Sequence, residues 1–188
     1  MTLMWGALVG GAILWVWGAL SWMLLPWHHA TFRAFADEGA VQRTILVAAP
    51  ESGVYGLPAP PTYTKAMDKA ARAAADRAAQ QQMIAGPIVT AIVQRDGFGS
   101  VPMAMLRAFV IAAALSLVIA WLLLQTVGLT YWHRVAFVSA IGLASGMMCR
   151  LPDWNWHGYP TSFTAVQMCD HVVGAFLLGL ALARIAQT

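Results

Sequence analysis

Residues 104–127 read AMLRAFVIAAALSLVIAWLLLQTV, an apolar run broken by a single charged side chain, Arg107. A helix that crosses a bilayer needs roughly 20 mainly apolar residues, so this stretch predicts a membrane span. Three more stretches of the same kind lie to either side: Leu3 to Leu25, Trp132 to Met148, which is the shortest, and Val166 to Ile185. Four spans in so short a chain predict a membrane all-α protein, a four-helix bundle.

Composition agrees with that reading. Of 188 residues 60% are hydrophobic and only 10% are charged, whereas about a quarter of the residues in a soluble domain carry charge. The first span resembles a secretory signal, because Ala34-Phe35-Ala36 looks like a small-residue cleavage pattern. However, no Lys or Arg precedes the run, the run is long enough to span, and Trp27 to Arg33 makes a long polar approach to the cut. It is read as an uncleaved anchor.

The chain therefore divides into a first transmembrane helix at 1–25, an extramembrane α+β insert at 26–103, and helices two to four at 104–188 with an aromatic loop at 151–165. The insert holds most of the charge and most of the prolines. Val41 to Ala49 is rich in β-branched residues and is followed by Pro50-Glu51-Ser52-Gly53 and Val54-Tyr55-Gly56-Leu57, which predicts a short hairpin. Thr64 to Met83 predicts a solvated helix with Thr64 as N-cap and Asp68/Arg72 and Arg72/Asp76 at helical spacing. Gly86-Pro87 ends it, and Ile88 to Gln94 predicts another strand.

A sequence pI near 9.2 raises the question of nucleic acid. The basic and acidic residues of the insert nearly balance, and no Lys/Arg cluster with interleaved aromatics occurs, so nucleic acid is not an expected partner. The lipid bilayer is. No Walker-type phosphate loop, GxGxxG or GxSxG elbow is present, which points away from an enzyme.

Counting spans brings His28, His29, the insert, Arg107, Cys149, Arg150, the Pro152 to Pro160 loop and Cys169-Asp170-His171 to one side of the membrane. His133 and Arg134 fall on the other. The acidic Asp37 and Glu38 after the first span favour termini in the cytoplasm and the insert outside, although a literal count of arginines favours the reverse. Trp22, Trp27 and the tryptophans of the 151–165 loop read as an interfacial collar, with a substrate-stacking platform as the sharper alternative.

Ionisable side chains at membrane depth are costly and mark sites. Asp170, in the first turn of the predicted last helix, gains from the helix dipole and is expected to pair with Arg107 or Arg150. That pair either locks helix register or, with His171, forms an ion or proton relay. Cys149 and Cys169 lie at similar depth, where a disulfide would close a loop of about twenty residues and stabilise by about 3 kcal/mol; two buried unlinked thiols are the alternative. A metal site would draw on His28, His29, His157, His171, Cys149 and Cys169. Imidazole with soft sulfur suits copper or zinc, but neither CxxC nor HxxxH spacing occurs, so no cofactor is required.

Small residues recur at helical spacing in Gly6/Gly10, Gly142/Gly146 and Ala175/Gly179/Ala183. Such seams let helix backbones approach closely, within one bundle or between copies in a homo-oligomer or larger membrane complex.

The stretch Leu25-Pro26-Trp27-His28-His29-Ala30-Thr31-Phe32, with Asp37-Glu38, Pro50-Glu51-Ser52-Gly53-Val54-Tyr55, Asp153-Trp154-Asn155-Trp156 and the Asp170 helix, resembles an uncharacterised family of small four-span bacterial membrane proteins. The resemblance covers most of the chain and implies a bacterial inner-membrane location. It implies no activity. Together these observations lead to the expectation of a non-enzymatic structural or accessory component. The alternatives are a small transporter or channel subunit built on Asp170, His171 and Arg107, and a copper- or zinc-handling protein.

Overall fold

The computed structural model describes residues 2–185. Its elements run α1 (Thr2–Met23), α2 (Pro26–His29), α3 (Glu38–Ala48), β1 (Gly53–Leu57), α4 (Lys69–Ala85), β2 (Val89–Val93), α5 (Val101–Leu124), α6 (Tyr131–Trp156) and α7 (Thr161–Ile185). The four helices α1, α5, α6 and α7 are long and apolar enough to cross a membrane, and the protein is a multi-pass membrane protein of the all-α class. Two compact units share the chain: a bundle of 2–33, 100–155 and 159–185, and an insert of 34–99 with 156–158.

In the bundle, neighbouring spans alternate in direction. Antiparallel α1 and α5 meet at Gly6 opposite Ala120, Gly10 opposite Ser116 and Gly11 opposite Ala113. The approach is close enough that a Cβ on Gly10 would overlap the Ser116 hydroxyl and one on Gly11 would sit 2.7 Å from the Ala113 Cα. The Ser116 hydroxyl donates to the Gly6 carbonyl at 2.8 Å, which satisfies the polar group where no water competes. On the other side α6 and α7 pack through Gly142, where a Cβ would overlap Ala175 and lie 2.9 Å from the His171 carbonyl oxygen, and through Gly146, against His171 and Met168. Ala175, Gly179 and Ala183 are buried. All three small-residue seams thus lie inside one copy of the chain. Ile119, Leu123, Val138, Leu178 and Leu182 fill the core between them.

Two spans run further than their apolar stretches predict. The third helix continues past Met148 to Trp156, through Pro152. Hydropathy limits how much of a helix sits in lipid, not where its hydrogen bonding ends. Pro152 removes one backbone donor, a loss tolerable near a helix end. The fourth helix begins at Thr161, so Asp170 lies in its third turn and not its first. The dipole argument for Asp170 falls with that correction, because the effect fades beyond the first turn. Most of the expected 151–165 loop is helical, leaving a tight connection at 157–160 in which Gly158 takes φ 71°. Trp154 Nε1 donates to Thr161 Oγ1 across it at 3.1 Å.

In the insert, the expected hairpin is replaced. Val41 to Ala49 is almost entirely helix α3, because Asp37 caps it by accepting from Ala40 N at 2.8 Å. Strand propensity is set by context more than by residue type, and here the cap decides. The strand β1 pairs instead with the distant β2, antiparallel, with Gly53 opposite Val93 and Leu57 opposite Val89. The insert's long helix is capped by Asp68, accepting from Ala71 N at 2.7 Å, and not by Thr64. Arg95 ties these pieces together. Its guanidinium donates to the carbonyls of Leu46 and Ala49 at the end of α3, and its backbone N–H donates to Ser52 Oγ at 3.1 Å. A cation at a helix C-terminus is favourable there.

Candidate functional site

Leu25 is extended, as a residue before proline prefers, and Pro26 opens the single-turn α2. That turn brings His28 back against the end of α1 and the third turn of α7. The Thr31 hydroxyl closes it by donating to the His28 carbonyl at 2.8 Å.

His28 is 1% exposed. Its Nε2 lies 2.9 Å from Ser21 Oγ and 3.4 Å from Asp170 Oδ2. Trp22 stacks on the imidazole with ring centroids 3.9 Å apart and planes 11° from parallel, while Trp27 meets it edge-on at 5.9 Å. Trp27 Nε1 donates to Ser21 Oγ at 3.0 Å, and Trp17 Nε1 donates to the Asp170 carbonyl at 3.2 Å. The hydrogen bonds assign the tautomer. A carboxylate oxygen accepts only, so a proton on Nε2 faces both Ser21 and Asp170 productively, whereas a bare lone pair there would confront the carboxylate. His28 Nδ1 has no partner among the described residues, and a proton on it would be a buried donor without an acceptor.

Asp170 is therefore engaged by His28, not by the arginines expected to pair with it. Arg107 is exposed on α5, and Arg150 is half-buried on α6 with its Nε unpartnered among the described residues. The second oxygen of Asp170, Oδ1, is buried and also lacks a partner there. Next along α7, His171 Nδ1 lies 2.7 Å from the Gln167 carbonyl oxygen. A carbonyl accepts only, so Nδ1 carries the proton and Nε2 of the neutral ring is an acceptor.

A cavity of about 260 Å³ adjoins these groups, lined among others by Trp17 and Gly18 of α1, Leu115 of α5, Ser145 of α6, and Asp170 and His171 of α7. Leu115 is half exposed and Ser145 exposed. The cavity thus opens sideways near the middle of the spans.

The remaining predicted residues do not join this site. Cys149 and Cys169 are free thiols, and both are exposed; the disulfide expected between them is not made. His29 is exposed, and His157 belongs to the other compact unit. No three His, Cys, Asp or Glu side chains converge as a metal site among the described residues. Ser21 and the packing role of Trp22 and Trp27 were missed from sequence, where those tryptophans read as an interfacial collar. The signal was Pro26, which starts a helix and returns His28 to the bundle.

No family model, curated protein or solved structure matches the chain.

Proposed function

We propose that this protein is a non-enzymatic accessory component of the bacterial inner membrane that docks a partner through its insert, with both termini cytoplasmic and the insert periplasmic. The observation carrying this is the insert's surface. Its one buried apolar side chain among the described residues is Ala49, while Val47, Ile84 and Ile92 are 79–85% exposed. Apolar surface in excess of what a small domain hides marks an interaction site. The aromatic, hydrogen-bonded packing of His28 supports a structural role for the Asp170 end of the bundle, as a latch that holds α2 on α7.

The test is crosslinking and native-size analysis of full-length protein in its own membranes, with Ile84→Asp and Ile92→Asp. Loss of a larger complex with an unchanged unfolding midpoint of the purified protein is the expected result. A monomer in the unsubstituted membrane, or complexes indifferent to both changes, overturns it.

A second reading, a small transporter subunit, is favoured by the side-opening cavity with Asp170 and His171 on its wall. Arg107, exposed on α5, is no part of that wall. This reading expects Asp170→Asn to abolish flux in proteoliposomes with the fold intact, whereas the accessory role expects reduced thermal stability and no flux in either form.

A further inference from the structure

We infer that the cavity between the spans binds a small amphiphilic amine, drawn from the bilayer, with its ammonium on Asp170 and its apolar body among the helices. The inference concerns binding alone and holds whether or not the ligand is carried across the membrane.

The polar groups on the wall select the ligand. Asp170 lines the cavity, its side chain is 14% exposed with Oδ2 toward His28, and its sealed Oδ1 has no partner among the described residues, so the carboxylate is under-satisfied. In the neutral ring His171 Nε2 is a second acceptor, because Nδ1 donates to the Gln167 carbonyl. The Trp17 N–H is spent on the Asp170 carbonyl, but the indole itself lines the cavity, and aromatic faces attract cations. No Lys or Arg is among the lining residues. An anionic ligand would meet the carboxylate with like charge. A purely apolar one would fill the space but leave the carboxylate without a compensating charge. An ammonium supplies donors and a compensating charge, which a carboxylate within a membrane bundle calls for.

The rest of the wall sets size and route. Leu14, Ile119, Ile141 and Leu178 are apolar neighbours for a hydrocarbon body. A volume near 260 Å³ corresponds to the liquid volume of roughly nine waters, which suits a ligand of about ten non-hydrogen atoms. The opening past Leu115 and Ser145 admits a molecule that partitions into lipid.

The test uses full-length protein in nanodiscs and three probes of one shape: 2-phenylethylamine, 2-phenylethanol and phenylacetate. The amine is expected to raise the unfolding midpoint saturably, with at least tenfold tighter apparent binding than the alcohol and no effect from the carboxylate. Asp170→Asn is expected to erase the preference for the amine. Should that variant not fold, Gly18→Leu combined with Ser145→Leu decides, since a Cβ on Gly18 meets nothing within 4 Å and the added side chains occupy the cavity while Asp170 and His28 stay. Loss of amine binding in the filled variant supports the site. Equal response to amine and alcohol, or undiminished amine binding in the filled variant, overturns it and assigns the effect to partition into lipid.

Discussion

Removing the His28 imidazole would deprive Asp170 of its one ionisable partner among the described residues and leave Trp22 without the ring it stacks on. Breaking a buried pair from one side costs more than the pair contributes, because the remaining charge is stranded. His28→Ala is accordingly expected to lower stability by about 3 kcal/mol, read as a lower unfolding midpoint in detergent. The double variant with Asp170→Asn should lose less than the sum of the single losses, as contacting residues do. In the insert, the Tyr63 hydroxyl donates to the Asp76 carboxylate. That bond, helped by desolvation and by the Asp76 charge and opposed by Arg72, raises the phenol above its ordinary value of 10.0. The protonated phenol is the bonded form, so its stabilisation is complete below the unfolded value and is lost as pH rises through the higher folded one. Tyrosinate absorbance should show Tyr63→Phe removing a late step and Asp76→Asn moving that step to lower pH.

Among elements, the helix contacts make a sharp comparison between two glycines of α1. Gly10→Ala pushes a methyl into Ser116 and is expected to cost about 1–3 kcal/mol. Gly18→Ala meets open space and, by improving helix propensity, should be neutral or stabilising by up to about 1 kcal/mol. Unfolding midpoints of the two variants, measured side by side, check this. Spans and seams were legible in the sequence because lipid demands long apolar runs and close backbones demand glycine. Element ends were less so. Trp132 to Met148 was read too short because polar and aromatic residues beyond Met148 leave the lipid without leaving the helix. Val41 to Ala49 was read as strand from its β-branched residues, although Asp37 was already in place to cap a helix. The pairing of β1 with β2 spans a helix and two loops, and no local pattern announces such a partner.

For the molecule as a whole, the proposed orientation makes one clear prediction. In a background with Cys149 and Cys169 replaced by Ala, Ser52→Cys should label with an impermeant maleimide in intact cells, and Thr130→Cys only after permeabilisation. The opposite pattern would put the insert in the cytoplasm. Span counting brought His28, Asp170 and His171 to one end of the bundle, and there the sequence was informative. It did not pair them, since an imidazole carried on a four-residue helix and a carboxylate some 140 positions later meet only through α1 and α7 packing. The same remoteness has a consequence for biosynthesis. Helices α1 and α2 leave the ribosome before α7, yet the contacts of Trp17, Gly10 and His28 are with Gly174, Leu178 and Asp170 of that later helix. Until α7 is inserted, His28 lacks its Asp170 partner and α1 lacks the packing of Gly174 and Leu178. Any chain truncated before Thr161 keeps both gaps for good.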